Sequence, residues 1–331
     1  MSIMVGGNEP NKIKVGTQDV KAVYAGSNLV WLPKFIASGG AITDSGGYRY
    51  HTFNSSGTFV VNAGEKLIEY VIVGGGGGAS FGGGGAGAVV QGSTTINSST
   101  AITVGTGGAK GVQSGSNSVL IDNRGSNGGQ SSIAGVASAA GGGGGGGGGS
   151  GFNTKPWDST FKNGRNGGCG GGGAAWYGNG TPGQGSVGYN GGEGNDDNGA
   201  PHSSAGGGGM GSAGKTPATG EHGGNGGSSI TVWGKAYAGG GGGGNSQHTQ
   251  GWGGTGGGAG AGDAGRGDIS SGQNAAANTG SGGGGCGGQA ASTQGGNGGS
   301  GVVVIRYQTP VRSAVKEALK RKASRDEEDE S

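Results

Sequence analysis

The chain has 331 residues, 97 of them Gly, and the apolar set Ala, Val, Ile, Leu, Met, Phe, Trp, Tyr and Cys supplies only 29%. Gly at roughly four times its average usage, without a Gly-X-Y period, excludes collagen and denies most of the chain an ordinary apolar core. Charged residues at 12% and a net charge of +2 argue against both a highly charged disordered chain and the clustered basic surface that nucleic acid requires.

The start, MSIMVGGNEP, lacks a basic stretch followed by an apolar one, so no signal peptide is expected. No apolar run reaches the length of a membrane span, and no membrane insertion is expected. Residues 12–31 alternate apolar with polar positions in two short runs, Ile13 to Val15 and Val20 to Tyr24, closed by Gly26-Ser27-Asn28. This predicts a module of two or three strands within residues 1–33, too small to be stable alone.

From residue 34 the pattern is richer. Strands are expected at Tyr48 to Phe53, Gly57 to Val61 and Lys66 to Val73, with turn residues between them. Further β-branched runs follow at Gly87 to Val90, Ser93 to Ile96, Ala101 to Val104 and Ser118 to Ile121. The last strand, Gly301 to Tyr307, carries three Val and one Ile in succession, which suggests burial on both faces and a central place beside the Leu67 to Val73 strand. Residues 34–140 with 301–308 therefore read as a β-sandwich interrupted by a very large insertion.

The insertion, residues 141–300, alternates Gly runs such as Gly141 to Gly149 and Gly239 to Gly244 with variable segments. One such run alone is a flexible linker. Many together, with no Cβ to hold them apart, can pack as left-handed extended helices that exchange backbone hydrogen bonds on every side, a polyglycine-II bundle. The cost is the large entropy lost on ordering Gly. Nine residues would extend roughly 28 Å, enough to cross a domain. In residues 309–331, Thr309-Pro310 begins a short predicted helix with Val311, Val315 and Leu319 on one stripe, followed by an acidic run. The fold class expected is thus mainly β: a sandwich scaffold, a glycine-rich bundle and a short C-terminal helix.

Chemical motifs give little. Gly-x-Gly-x-x-Gly recurs, but without the strand, helix and acidic residue of a dinucleotide site, so no cofactor is expected. The four His stand at no metal-ligand spacing, and His51 reads as a hydrogen-bonded sheet residue. Glu193 to Asn198 has hard oxygen ligands but no recognised calcium-loop spacing, and reads as a solvated turn. Arg266-Gly267-Asp268 is a match that composition generates by chance. No nucleophile with a base and no carboxylate pair can be selected, so no catalytic residue is expected and a glycan hydrolase ranks last. Cys169 and Cys286 are expected as free thiols, one intramolecular pairing being the alternative. The aromatics of the insertion do stand out: Phe152, Trp157, Phe161, Trp176, Tyr177, Tyr189, Trp233, Tyr237 and Trp252 lie between Gly runs. Projected on loops they would form binding hot spots; the bland reading is that some cover the bundle ends as small satellite cores.

The strand Glu69-Tyr70-Val71-Ile72-Val73 followed by Gly74 to Gly78, and the closing Gly298-Gly299-Ser300-Gly301-Val302-Val303-Val304-Ile305-Arg306-Tyr307, bracket this interior. That arrangement resembles the glycine-rich distal parts of bacteriophage tail fibres and receptor-binding adhesins. Residues Ile13 to Trp31 also resemble a short module that often precedes this region in phage tail and fibre proteins. The resemblance covers about residues 12 to 307 and implies a non-enzymatic virion protein. Its candidate receptor contacts are Trp157, Phe161, Trp176, Tyr177, Tyr189, Trp233, Tyr237 and Trp252, and its candidate virion attachment residues are Tyr24, Val30 and Trp31. The partners implied are a host surface protein or glycan and other virion tail proteins. A homotrimer is implied by analogy with such fibres. Two departures stand out: Asn62-Ala63-Gly64-Glu65-Lys66 replaces the usual Pro-Gly turn, and the charged C-terminal tail lies outside the pattern. The alternative is a structural virion component, a capsid-surface fibre or tail adaptor, with no receptor of its own.

Overall fold

The computed structural model describes residues 13–15, 18–20, 23–25, 28–31, 35–111, 122–148, 159–175, 178–196, 202–218, 222–246, 252–265, 270–288 and 293–309. The protein is mainly β, and its sheets are antiparallel and open. Near the N-terminus, β1 (Lys14–Val15) pairs with β2 (Gln18–Asp19), and β3 (Val23–Ala25) pairs with β4 (Asn28–Trp31). The module of two or three strands expected there is thus two short hairpins.

The next strands are β5 (Ile36–Ser38), β6 (Ala41–Ser45), β7 (Tyr48–Phe53), β8 (Gly57–Ala63), β9 (Lys66–Val73), β10 (Val89–Ile96), β11 (Thr100–Thr103), β12 (Ser131–Ile133) and β13 (Ala137–Ala139). One 3₁₀ turn spans Ser159–Lys162. Then come β14 (His202–Ser203), β15 (Ile230–Val232), β16 (Lys235–Tyr237), β17 (Asn245–Ser246) and β18 (Val302–Gln308). Two five-stranded sheets result, in the orders β10-β9-β18-β7-β6 and β13-β12-β11-β8-β5. Strand β18 sits in the middle of the first, paired with both β7 and β9, as its apolar run demands.

Strands β9 and β18 of the first sheet are buried on both faces where they approach the glycine segments. Ile68, Tyr70, Ile72, Val303, Ile305 and Tyr307 share one core with Phe59, Ile102, Ile133 and Ala139 of the second sheet. On the other face Val71, Val73, Val89, Val302 and Val304 pack with Val232, Tyr237 and Ala238 of the β15–β16 hairpin. Each fully buried Val or Ile contributes about 1.5–3 kcal/mol, so the hairpin ties the glycine-rich region firmly to the sheet. Its two-residue loop, Trp233-Gly234, has φ of 48° and 79°, the pair of left-handed residues that lets a tight turn follow the strand twist.

Beyond β9 the chain leaves the sheet as an extended glycine segment whose hydrogen bonds follow a period of three. Gly74 and Gly77 donate to Ala88 and Gly85, Gly75 and Gly78 to Gly129 and Ser126, Gly76 and Ala79 to Gly299 and Gly296. Partner numbers fall by three as donors rise by three, so each of these neighbours runs antiparallel. The carbonyls of Gly75, Gly76 and Gly77 in turn accept from Gly142, Gly108 and Gly283 on three further segments. One segment thus has six neighbours, three by donation and three by acceptance. The run Gly239 to Gly244 is surrounded in the same way by segments near residues 81–84, 204–207, 223–227, 254–257, 262 and 282–285. Such packing needs glycine: a Cβ on Gly143 would collide with the Arg165 carbonyl, and one on Gly146 with the Lys162 carbonyl.

At the rim, where no further glycine segment is available, Asn side chains supply the missing acceptor. Asn225 Oδ1 accepts from the Thr255 N–H at 2.9 Å while the next residue's N–H, that of Gly226, donates to the Thr255 carbonyl at 2.8 Å. The same clasp joins Asn163 and Gly164 to Thr181, Asn166 and Gly167 to Gln184, and Asn274 and Ala275 to Asn297. The Ser118 to Ile121 strand and the helix after Thr309 lie outside the described residues.

Candidate contact surface

The segment directions divide the glycine-rich region into two ends. Strands β9, β11 and β13 all feed segments that leave the sheets, and segments return to β10, β12 and β18. The turns at 186–188, 210–212, 233–234, 258–260 and 277–280 therefore lie on the sheet side. The residues that flank the variable stretches of the sequence, such as 148 and 159 or 246 and 252, lie at the opposite, far end.

The candidate aromatics separate between these ends. Tyr189 lies on the sheet side, 50% exposed, beside the exposed Val187. Tyr237 is buried to 4% in the core under β15–β16 and has no surface to offer a receptor. Trp233 is also taken up by the scaffold. Its ring stacks on the Arg306 guanidinium, 4.0 Å from ring centroid to Cζ, and meets Tyr50 edge-on at 6.3 Å. Arg306 is held from the other direction by Tyr48 at 4.3 Å and by Glu69 Oε2 at 2.6 Å. These two residues belong to the satellite-core reading of the aromatics.

At the far end Trp252 is 56% exposed and bridges in parallel to His222, whose Nδ1 accepts the Trp252 N–H at 3.3 Å. Phe161 is half-buried, with the Arg124 guanidinium 5.7 Å from its ring centroid. Arg124 and Arg165 both pair with Asp122, whose carboxyl the Arg124 hydrogen bond holds below the usual carboxylate range. Phe81, Ala174 and Cys286 form a small apolar plug there. Trp157, Trp176 and Tyr177 lie outside the described residues, and so does Phe152. The side chains of Tyr24, Val30 and Trp31 lie outside them too, as does Arg266-Gly267-Asp268.

Within the stretch read as a solvated turn, Glu193 to Asn198, the described Asp196 is not solvated. Asp196 is only 4% exposed in its side chain, where it accepts from the Gly178 N–H and pairs with His202 Nδ1 at 2.7 Å. The two residues meet through β14 and the antiparallel bridge of Asn195 with Ser203. His51 is fully buried, with Nδ1 2.8 Å from the Gly39 carbonyl and Nε2 3.3 Å from the Tyr307 hydroxyl. Burial depresses its pKa, against the contrary effect of the Gly39 bond. Cys169 and Cys286 are both buried as thiols, and burial pushes Cys169 up to about 12. Among the described residues no three His, Cys, Asp or Glu side chains converge as a metal site. No helix among them is long and apolar enough to cross a membrane.

Antiparallel sheets with a glycine-rich region anchored on them define a chain of the glycine-rich class. The family model for a glycine-rich domain matches residues 52–308, and the protein belongs to that family. No curated protein matches the chain.

Proposed function

We propose that the protein is a non-enzymatic phage tail or fibre protein of the virion that meets the host envelope, through a surface protein or glycan, with the far end of its glycine-rich region. In this reading the two sheets form a β-sandwich and the glycine segments a polyglycine-II bundle standing on it. The observation that carries the proposal is the sorting of chain connections. The sheets and the β15–β16 hairpin occupy one end, and the variable segments leave and re-enter the bundle at the other. A bundle held by backbone bonds offers a rigid base for such segments, as a scaffold does for binding loops. Among the described residues, Trp252, with His222 beside it, is the exposed aromatic at that end. The six-neighbour hydrogen bonding and its period of three support the bundle geometry.

The N-terminal hairpins, with Tyr24, Val30 and Trp31, serve attachment to other virion tail proteins, and assembly as a homotrimer completes the proposal. The test is adsorption. Purified protein at saturating concentration binds susceptible cells and delays phage adsorption; failure of both sinks the receptor-binding reading. Antibody labelling confined to the head or tail tube, away from distal tips, would favour a structural component instead.

A further inference from the structure

We propose that the outer face of the first sheet carries a binding site for a neutral saccharide, separate from the far end of the bundle. The β15–β16 hairpin covers only the half of this face nearest the glycine segments. Past it the strand register leaves two rows, of which Trp233 covers only the first, over Arg306 and Tyr50. Tyr50, Arg306, Glu69 and Ser93 make up one, and Tyr48, Gln308, Leu67 and Thr95 the other. Among the described residues the second row lines a groove of about 350 Å³ together with Glu65, Lys66, Glu69 and Tyr307. That volume falls in the range of small-molecule sites.

The lining chemistry selects the ligand class. Tyr48 presents an aromatic ring whose place is fixed by the Arg306 guanidinium and by Gln308 Nε2, which donates to its hydroxyl at 3.4 Å. Leu67, 60% exposed, adds an apolar surface. Around them stand the polar residues Glu65, Lys66, Gln308 and Thr95. The charges balance, Glu65 against Lys66 and Glu69 against Arg306, so the groove has no net pull on an anion or a cation. An apolar ligand would strand these polar groups without partners. A ring with one apolar face and a rim of hydroxyls satisfies both kinds of surface.

Saturation-transfer NMR on the full chain, with maltose, lactose and N,N′-diacetylchitobiose as separate probes, tests the proposal. Transfer to the ring protons of at least one probe is expected. Thr95→Arg, at an exposed strand position, and Leu67→Asp are each expected to weaken that binding about tenfold or more. Trp252→Ser, at the far end, should leave it unchanged. No transfer to any of the three probes, or equal transfer in both groove variants, would overturn the proposal. Loss in the Trp252 variant instead would move the site to the far end and overturn it equally.

Discussion

Single residues decide how the glycine region ends and how the sheet core responds to pH. The Asn clasp gives a rim N–H an acceptor that water would otherwise supply. Asn225→Ala should therefore cost about 1 kcal/mol, and amide exchange at Thr255 should accelerate, while Asn225→Asp, which keeps an oxygen in place, should change it little. An unaltered Thr255 rate in the Ala variant would remove the clasp from the account. His51 acts in the opposite compartment, inside the sheet core. Its folded pKa lies below the ordinary value of about 6.5, so as pH falls through that value the unfolded chain takes up a proton before the folded one does. The stability that neutral His51 contributes is present above about pH 6.5 and is lost progressively as pH drops toward the folded pKa. Urea midpoints measured across this window should fall in the native protein and fall less steeply in His51→Gln.

At the scale of elements, the sequence shows best where side chains do the folding. The central position of β18 follows from its consecutive β-branched residues, and β7, β8 and β9 follow from alternation and flanking turn residues. Strands β5 and β6 escape because Ile36 to Ser45 is short and mostly exposed, with a Gly46-Gly47 turn in a chain where Gly-Gly is everywhere. The β15–β16 hairpin escapes for a different reason: Trp233 takes a left-handed turn position that favours Asn or Gly, and its stacking on Arg306 offsets the strain. For the same reason Trp233 and Tyr237 look like loop aromatics in sequence, although one leans on the sheet and the other lies beneath the hairpin. The meeting of Asp196 with His202 carries no sequence signal, since it depends on which glycine segments become neighbours. Gly143 and Gly146 test the element as a whole. Replacing both by Val places branched side chains against the backbone of the neighbouring segment, at Arg165 and Lys162. Loss of protease resistance and of the native circular dichroism is expected; unchanged resistance would mean that this run is a tolerant linker.

For the whole molecule, backbone hydrogen bonds replace the apolar core over most of the length, and the sheets with their β15–β16 clamp hold one end in register. The proposed homotrimer belongs to this scale. The N-terminal hairpins are too short to be stable alone, and a cyclic assembly would complete them. Sedimentation equilibrium should give three times the single-chain mass of 31.1 kDa, and a value near 31.1 kDa itself would rule the trimer out in solution. The central claim, that glycine segments are folded by six-sided backbone bonding, is tested most directly by native-state amide hydrogen exchange resolved to Gly74 to Gly78 and Gly239 to Gly244. The account predicts protection there comparable to that of Val303 and Ile305 in β18, because opening these segments requires opening their neighbours. Exchange of those glycine amides at the rate of an unstructured chain, with β18 still protected, would contradict it.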